Sequence, residues 1–153
     1  MKFSELIEED NIIPELKAKD KKGVLEELAE AISKHQPSVN KGDLVRVLLD
    51  RERLGSTGIG DGVAIPHGKL NGVKNPIISF GRSKEGLDFE SMDGQPAYLF
   101  FLLIAPENSA GIHLKALAKI AKILKSTAFR KKLMGAAGRE DLYQAIIETD
   151  EES

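Results

Sequence analysis

AYLFFLLIA, residues 97–105, is nine residues long and apolar throughout except for one tyrosine hydroxyl. A strand with one solvated face alternates apolar and polar residues, whereas a strand covered on both faces has no reason to. The run is far too short for a membrane-spanning helix, which needs ~20 residues. It therefore reads as an inner strand with helices on both sides. Before it, Pro76 to Arg82 (PIISFGR) reads as a second strand, and Phe89-Glu90 ahead of Met92-Asp93-Gly94 as a short edge strand and turn.

Helical spacing surrounds these strands. Asp20 is placed to cap a helix carrying Val24, Leu25, Leu28 and Ile32 on one face. That helix should stop near His35-Gln36-Pro37, because proline disfavours helical conformation in the residue before it. Asn40-Lys41-Gly42-Asp43 resembles a capping box and opens a helix with Leu44, Val47 and Leu48 inward, reaching about Arg53. After the AYLFFLLIA run, Asn108 or Ser109 opens a helix to about Leu124. Two more helices are expected over 127–134 and 139–148, and 150–153 as a disordered tail behind one domain spanning 1–149. Helices alternating with strands predict an α/β protein with a mixed, helix-covered sheet.

Bulk properties exclude several classes. The 153 residues carry 22 basic and 24 acidic side chains, a net charge of −2, with no single-sign run of the kind that binds nucleic acid. There is no cysteine, so disulfides and thiolate zinc sites are ruled out, although histidine and carboxylate could still hold a metal. MKFSELIEED at the start lacks an apolar signal core. A cytoplasmic protein with no membrane insertion is the simplest expectation.

The chemistry-bearing segment is GSTGIGDGVAIPHG, Gly55 to Gly68, with glycines at 55, 58, 60, 62 and 68. Such density lets backbone N–H groups approach a ligand closely. GVAIPHGK, 62–69, has five residues between its glycines and leucine after the lysine, so it is not a Walker A loop. GIGDG, 58–62, is not a dinucleotide fingerprint either. What remains is Ile65-Pro66-His67-Gly68, an imidazole delivered by a stiff chain and left uncrowded on one side, as an in-line nucleophile requires. Taken alone, a histidine in such a glycine- and proline-bounded turn is more often just a polar turn residue.

His113 falls in the first turn of the 109–124 helix, on the face of Leu117, Ile120 and Leu124. It points inward where the helix dipole favours an anion and disfavours an imidazolium. A buried histidine with a satisfied hydrogen bond would look the same. Arg51 follows Leu48, Val47 and Leu44 by 3, 4 and 7 residues, so it needs a partner. That partner could be a phosphate, a nearby carboxylate or the end of its own helix.

Three stretches, Arg51-Glu52, GSTGIGDGVAIPHGKL (55–70) and GLDFESMDGQPAYLFFLLIAPENSAGIHLKALAKIAKIL (86–124), resemble the fructose/mannitol-type enzyme IIA of the phosphoenolpyruvate phosphotransferase system. Within it, the chain most resembles the free-standing nitrogen-type regulatory branch. The resemblance implies a three-layer α/β sandwich, a mixed β-sheet with helices on both faces. It implies a phosphotransferase component that takes a phosphoryl group onto His67 from an HPr-like carrier, with His113 and Arg51 steadying it. Neither cofactor nor metal is required. The downstream partner would be a regulatory target protein or, in a sugar-transporting IIA, a separate IIB domain. A IIB domain or permease does not fit in this length, which favours the regulatory reading. The competing expectations are a non-catalytic binding module of the same fold and a metal site formed by His67, His113 and Asp61.

Overall fold

In a computed structural model describing residues 1–151, the AYLFFLLIA strand lies inside a six-stranded mixed sheet. Its elements, in chain order, are α1 (Phe3–Leu6), β1 (Ile7–Ile13), α2 (Lys21–His35), α3 (Lys41–Arg53), β2 (Gly58–Gly60), β3 (Val63–Ala64) and β4 (His67–Leu70). They continue with β5 (Ile77–Leu87), β6 (Ala97–Pro106), α4 (Ala110–Leu124), α5 (Thr127–Gly135), α6 (Arg139–Glu148) and a 3₁₀ turn at Thr149–Glu151. The sheet runs β1-β5-β6-β3-β2, and β4 also pairs with β6. β5 and β6 are antiparallel, while β3 and β4 lie parallel to β6.

β6 is apolar throughout because both of its faces are covered. Leu99, Phe101 and Leu103 join one core with Ala116, Ile120, Leu124, Leu133 and Ile146 from α4, α5 and α6. Phe100, Leu102 and Ile104 join the opposite core with Val24, Leu28, Ile32, Leu44 and Leu48 from α2 and α3. Successive side chains of a strand point to opposite faces, so one uninterrupted apolar run supplies both cores. The result is a three-layer α/β sandwich.

The caps form as their residues dictate. The Gly23 N–H donates to Asp20 at 2.8 Å and the Asp43 N–H to Asn40 at 2.9 Å, each relieving an amide left free at a helix start. Ser109, in contrast, precedes α4 without capping it, since its hydroxyl donates to the Pro106 carbonyl at 2.6 Å.

Several expectations are corrected. Phe89-Glu90 is not a strand: β5 runs on to Leu87, Phe89 is buried in the α2–α3 core, and Glu90 turns the chain at φ 54. Within the glycine segment, β2, β3 and the start of β4 add to the sheet. β1 has no readable period, since its step from Ile7 to Ile12 faces only the step from Ile78 to Phe80 on β5, and Glu8, Glu9 and Asp10 are pushed outward. In the expected tail, Asp150 and Glu151 are ordered. The Asp150 carboxylate accepts from the Phe3 and Ser4 N–H groups at 2.7 and 3.1 Å, partners 147 and 146 residues away that no local pattern reveals. Residues 152–153 lie outside the described residues.

One glycine positions the site. Gly68 lies on β4 against α3, and a Cβ there would meet Val47 Cγ1 at 2.5 Å. Valine is stiff about χ1, so the contact cannot simply rotate away. Gly68→Ala should cost about 1–3 kcal/mol by overpacking, read as a lower urea midpoint. An unchanged midpoint would mean that α3 shifts freely on the sheet.

Candidate functional site

His67 is the first residue of β4, just past the point where Pro66 interrupts the edge paired with β6. Proline has no N–H to give a ladder, and here its carbonyl still accepts from the Leu103 N–H at 2.9 Å. The entry to His67 is thus held on both sides. His67 Nδ1 lies 2.7 Å from the Ile65 carbonyl oxygen. A carbonyl only accepts, so Nδ1 carries the proton and the neutral ring keeps its lone pair on Nε2.

His113, in the first turn of α4, is 8% exposed, and its ring meets His67 edge-on with centroids 5.4 Å apart at 69°. Its Nδ1 is buried without a hydrogen-bond partner among the described residues, so the expected satisfied hydrogen bond is not made at that atom. Arg51, in the last turn of α3, is partly buried and donates from Nη1 to the Gly55 carbonyl at 3.0 Å. The Gly55 carbonyl lies two residues beyond α3, so it is none of the three expected partners: the bond ties the helix end to the start of the glycine segment. Its charge is also close enough to act on the His67 ring. The structure brings His67 and His113 into contact, with Arg51 beside them. Asp61 is elsewhere: it lines a separate cavity with Tyr98, Thr127 and Met134.

Three further residues escaped sequence reading. Glu52, 8% exposed, accepts from the Thr57 N–H at 3.1 Å and from the Thr57 hydroxyl, and pairs with Lys21 at 3.0 Å. It ties the end of α3 to the start of the glycine segment. Lys69 stands two residues after His67, on the same face of β4, and its charge reaches His113. The i, i+2 spacing of His67 and Lys69 was the available signal. For Glu52 and Lys21 there was none, because they meet only in three dimensions.

Both imidazoles are held neutral. Burial lowers the His67 pKa below the ordinary 6.5, and Arg51 lowers it further, against the Ile65 hydrogen bond and Glu52, which raise it. Burial lowers His113 as well, and repulsion from His67 once that ring is protonated and from the Lys69 ammonium lowers it further. The unfolded chain therefore binds more protons than the folded one just below pH 6.5. The stability due to these two groups is full above that value and is lost as pH falls through the depressed folded pKa values. Urea midpoints should fall between about pH 7 and 5.5, and a His67→Gln, His113→Gln double variant should lose part of that dependence. An identical slope in the variant would place the titration elsewhere.

Among the described residues, the large apolar side chains left exposed, apart from Met1, are Leu54, Ile59, Met92, Ile112 and Leu114. Leu54 (84% exposed) ends α3, Ile112 and Leu114 (66%) flank His113, and Ile59 and Met92 lie on segments joined by a Met92 N–H to Gly58 carbonyl bond. Leu54, Ile112 and Leu114, each adjacent in sequence to an element of the site, are the side chains available to a protein-docking face there.

This geometry, a paired-histidine centre at the edge of a helix-covered mixed sheet, coincides with a family match. Residues 5–149 match the family described as phosphoenolpyruvate-dependent sugar phosphotransferase system, EIIA 2, and the chain belongs to it. It is 43% identical to a nitrogen regulatory protein of Bradyrhizobium diazoefficiens, over 95% of both chains. It is 38% identical to the fructose-specific EIIABC component of Bacillus subtilis over 98% of its own length, which is 24% of that larger protein. The solved nitrogen regulatory protein IIA-Ntr of Neisseria meningitidis superposes with a TM-score of 0.87 at 35% identity, covering 94% of this chain and 98% of that one. The mannitol IIA of Escherichia coli, at 23% identity and a TM-score of 0.75, shares the fold. Among the described residues no helix is long and apolar enough to cross a membrane.

Proposed function

We infer that His67 is the phosphoryl acceptor of this EIIA chain, charged by the phosphohistidine of an HPr-like carrier and serving mainly a regulatory output. The observation that carries the reading is the Nδ1–H bond to the Ile65 carbonyl, which leaves Nε2 as the free nucleophile beside His113. The Nε2 lone pair attacks phosphorus in line as the carrier's P–N bond breaks, and the leaving imidazole keeps that electron pair. One P–N bond forms and one is lost, so the exchange is close to balanced and reversible. The Nδ1 proton stays on the ring, where the Ile65 carbonyl steadies the positive charge that develops.

The protein's task in phosphoryl transfer is placement and charge. Arg51, Lys69, the uncapped N–H groups at the start of α4 and a neutral His113 are the groups available to the equatorial oxygens. The apolar rim of Leu54, Ile112 and Leu114 receives the carrier. Intact-mass spectrometry after incubation with phosphoenolpyruvate, enzyme I and an HPr-type carrier, kept at neutral to alkaline pH, tests the reading. A gain of about 80 Da, one phosphoryl group, is expected, and amide shifts on adding the carrier should centre on that rim. No gain with any carrier would reduce the chain to a binding module.

A sugar-transport role is the second reading, favoured by the match to the fructose-specific protein along nearly the whole chain. It requires that the phosphorylated chain discharge onto a IIB domain, which the same mass measurement follows as loss of the added mass.

A further inference from the structure

Glu52 follows Arg51 in the last turn of α3, and its carboxylate is buried. It accepts from both the N–H and the hydroxyl of Thr57, which is buried as well. The Thr57 carbonyl in turn accepts the Ile65 N–H at 3.0 Å. The Ile65 carbonyl is the acceptor that holds His67 Nδ1 at 2.7 Å. Hydrogen bonds thus run from a carboxylate on α3 to the reacting ring, each fixing the residue that makes the next one. Displacing the first would move the carbonyl that selects the His67 tautomer.

Hydrogen bonding to Thr57 does not by itself require a charge. A glutamine could accept from the same donors without the cost of burying an ion. Here that cost is met by Lys21, whose Nζ lies 3.0 Å from the carboxylate and 5.0 Å from the centre of the Phe89 ring. The ring of His67 gives the charge a use. Arg51 and Glu52, consecutive in the chain, act on it with opposite sign, Arg51 disfavouring a cationic ring and Glu52 favouring it. The ring becomes cationic when Nε2 bonds to phosphorus, the carrier's P–N bond breaks and Nδ1 keeps its proton. Arg51, which serves the phosphoryl oxygens, opposes that charge, and Glu52 offsets the opposition.

We propose that Glu52 is a positioning residue for the transfer. Through Thr57 and Ile65 it holds the His67 ring with Nδ1 protonated and Nε2 free, and its carboxylate offsets the positive charge the ring gains with the phosphoryl group. The inference rests on His67 being the acceptor. The other charged or titratable groups around the ring are Arg51 on α3, His113 on α4 and Lys69 on β4. All three stay in place in the variants that test it.

The test observes the imidazole nitrogens of the full chain, labelled with ¹⁵N-histidine, across pH and before any carrier is added. The rate of mass gain with phosphoenolpyruvate, enzyme I and an HPr-type carrier is then measured. Glu52→Gln should lower the His67 pKa further and slow the mass gain roughly ten- to a hundredfold. Lys21→Met removes the cation that screens the carboxylate, so it should raise that pKa instead. A purely structural role would shift both variants the same way. Thr57→Val keeps the charge but loses a link, and should let the Nε2-protonated tautomer appear; Thr57→Ser should restore the wild-type ring. If Glu52→Gln fails to fold, the Lys21 and Thr57 variants decide. A Glu52→Gln chain with wild-type pKa and rate, shifts of one sign in both charge variants, or a Thr57→Val ring like that of wild type would each overturn the inference. A wild type that gains no mass would instead strike the acceptor reading, and the ring measurements, which need no carrier, would still decide whether Glu52 acts on His67.

Discussion

After incubation with phosphoenolpyruvate, enzyme I and an HPr-type carrier, the His67→Ala chain should stay at its unmodified mass while the wild type gains about 80 Da. The expected loss is complete because no other imidazole is placed to substitute. His113 is 8% exposed, against the partly buried His67, and its ring is in edge contact with that of His67. His35 is on α2, 4.0 Å from Asp10, on a different surface. His113→Ala should behave differently: the mass should still appear, but more slowly, since a group that orients the phosphoryl oxygens contributes rate rather than the bond itself. Phosphorylation of the His67→Ala chain would move the acceptor elsewhere, with His113 the first place to look. Equal rates for His113→Ala and wild type would remove His113 from the transition state.

The second large effect concerns stability and a residue far from the site. Arg82, on β5, is 1% exposed. Its Nε donates to the Pro14 carbonyl at 3.0 Å, and its Nη1 to the carbonyls of Leu133 at 2.8 Å and Ala136 at 2.7 Å, with Met134 at 3.4 Å. Burial pulls its pKa down and the charge of Glu15 pulls it back, but a guanidinium stays protonated. One fork thus closes the C-terminal end of α5, whose last carbonyls have no helical partner, and fastens the segment after β1 to the sheet. Arg82→Met keeps much of the bulk and removes every donor. The stranded carbonyls should cost about 3–5 kcal/mol in total. For a domain of this size that corresponds to a Tm lower by roughly 10 °C. Arg82→Lys should recover only part of the loss, because an ammonium cannot reproduce the planar fork. A Met variant as stable as wild type would show that water reaches those carbonyls.

Much of the molecule was decided by residues close together in the chain. The AYLFFLLIA run required cover on both faces, and the structure places α4, α5 and α6 on one side and α2 and α3 on the other. Asp20 and Asn40 start their helices because a cap needs only a side chain and the amide three residues on. His67 could be singled out because proline and glycine act on their immediate neighbours. These are short-range interactions, and short-range patterns survive in a linear reading.

What tertiary structure alone decided involves partners distant in sequence. The β1 bulge breaks strand alternation, so Ile7 and Ile12 belong to one core with no period to announce it. Asp150 is ordered by amides at the other end of the chain, and Arg82 by carbonyls more than 50 residues away in both directions along the sequence. The same holds at the site. Helical spacing put His113 on an inward face and local chemistry made His67 stiff, but their 5.4 Å approach is fixed by β4 pairing with β6 and by the placement of α4 on the sheet. The depressed pKa of each ring follows from burial and from charges that arrive on other elements. Local residue order set which faces are apolar and which side chains could carry chemistry. Packing determined which of them meet, because hydrogen bonds and desolvation depend on distance in space and not on separation along the chain.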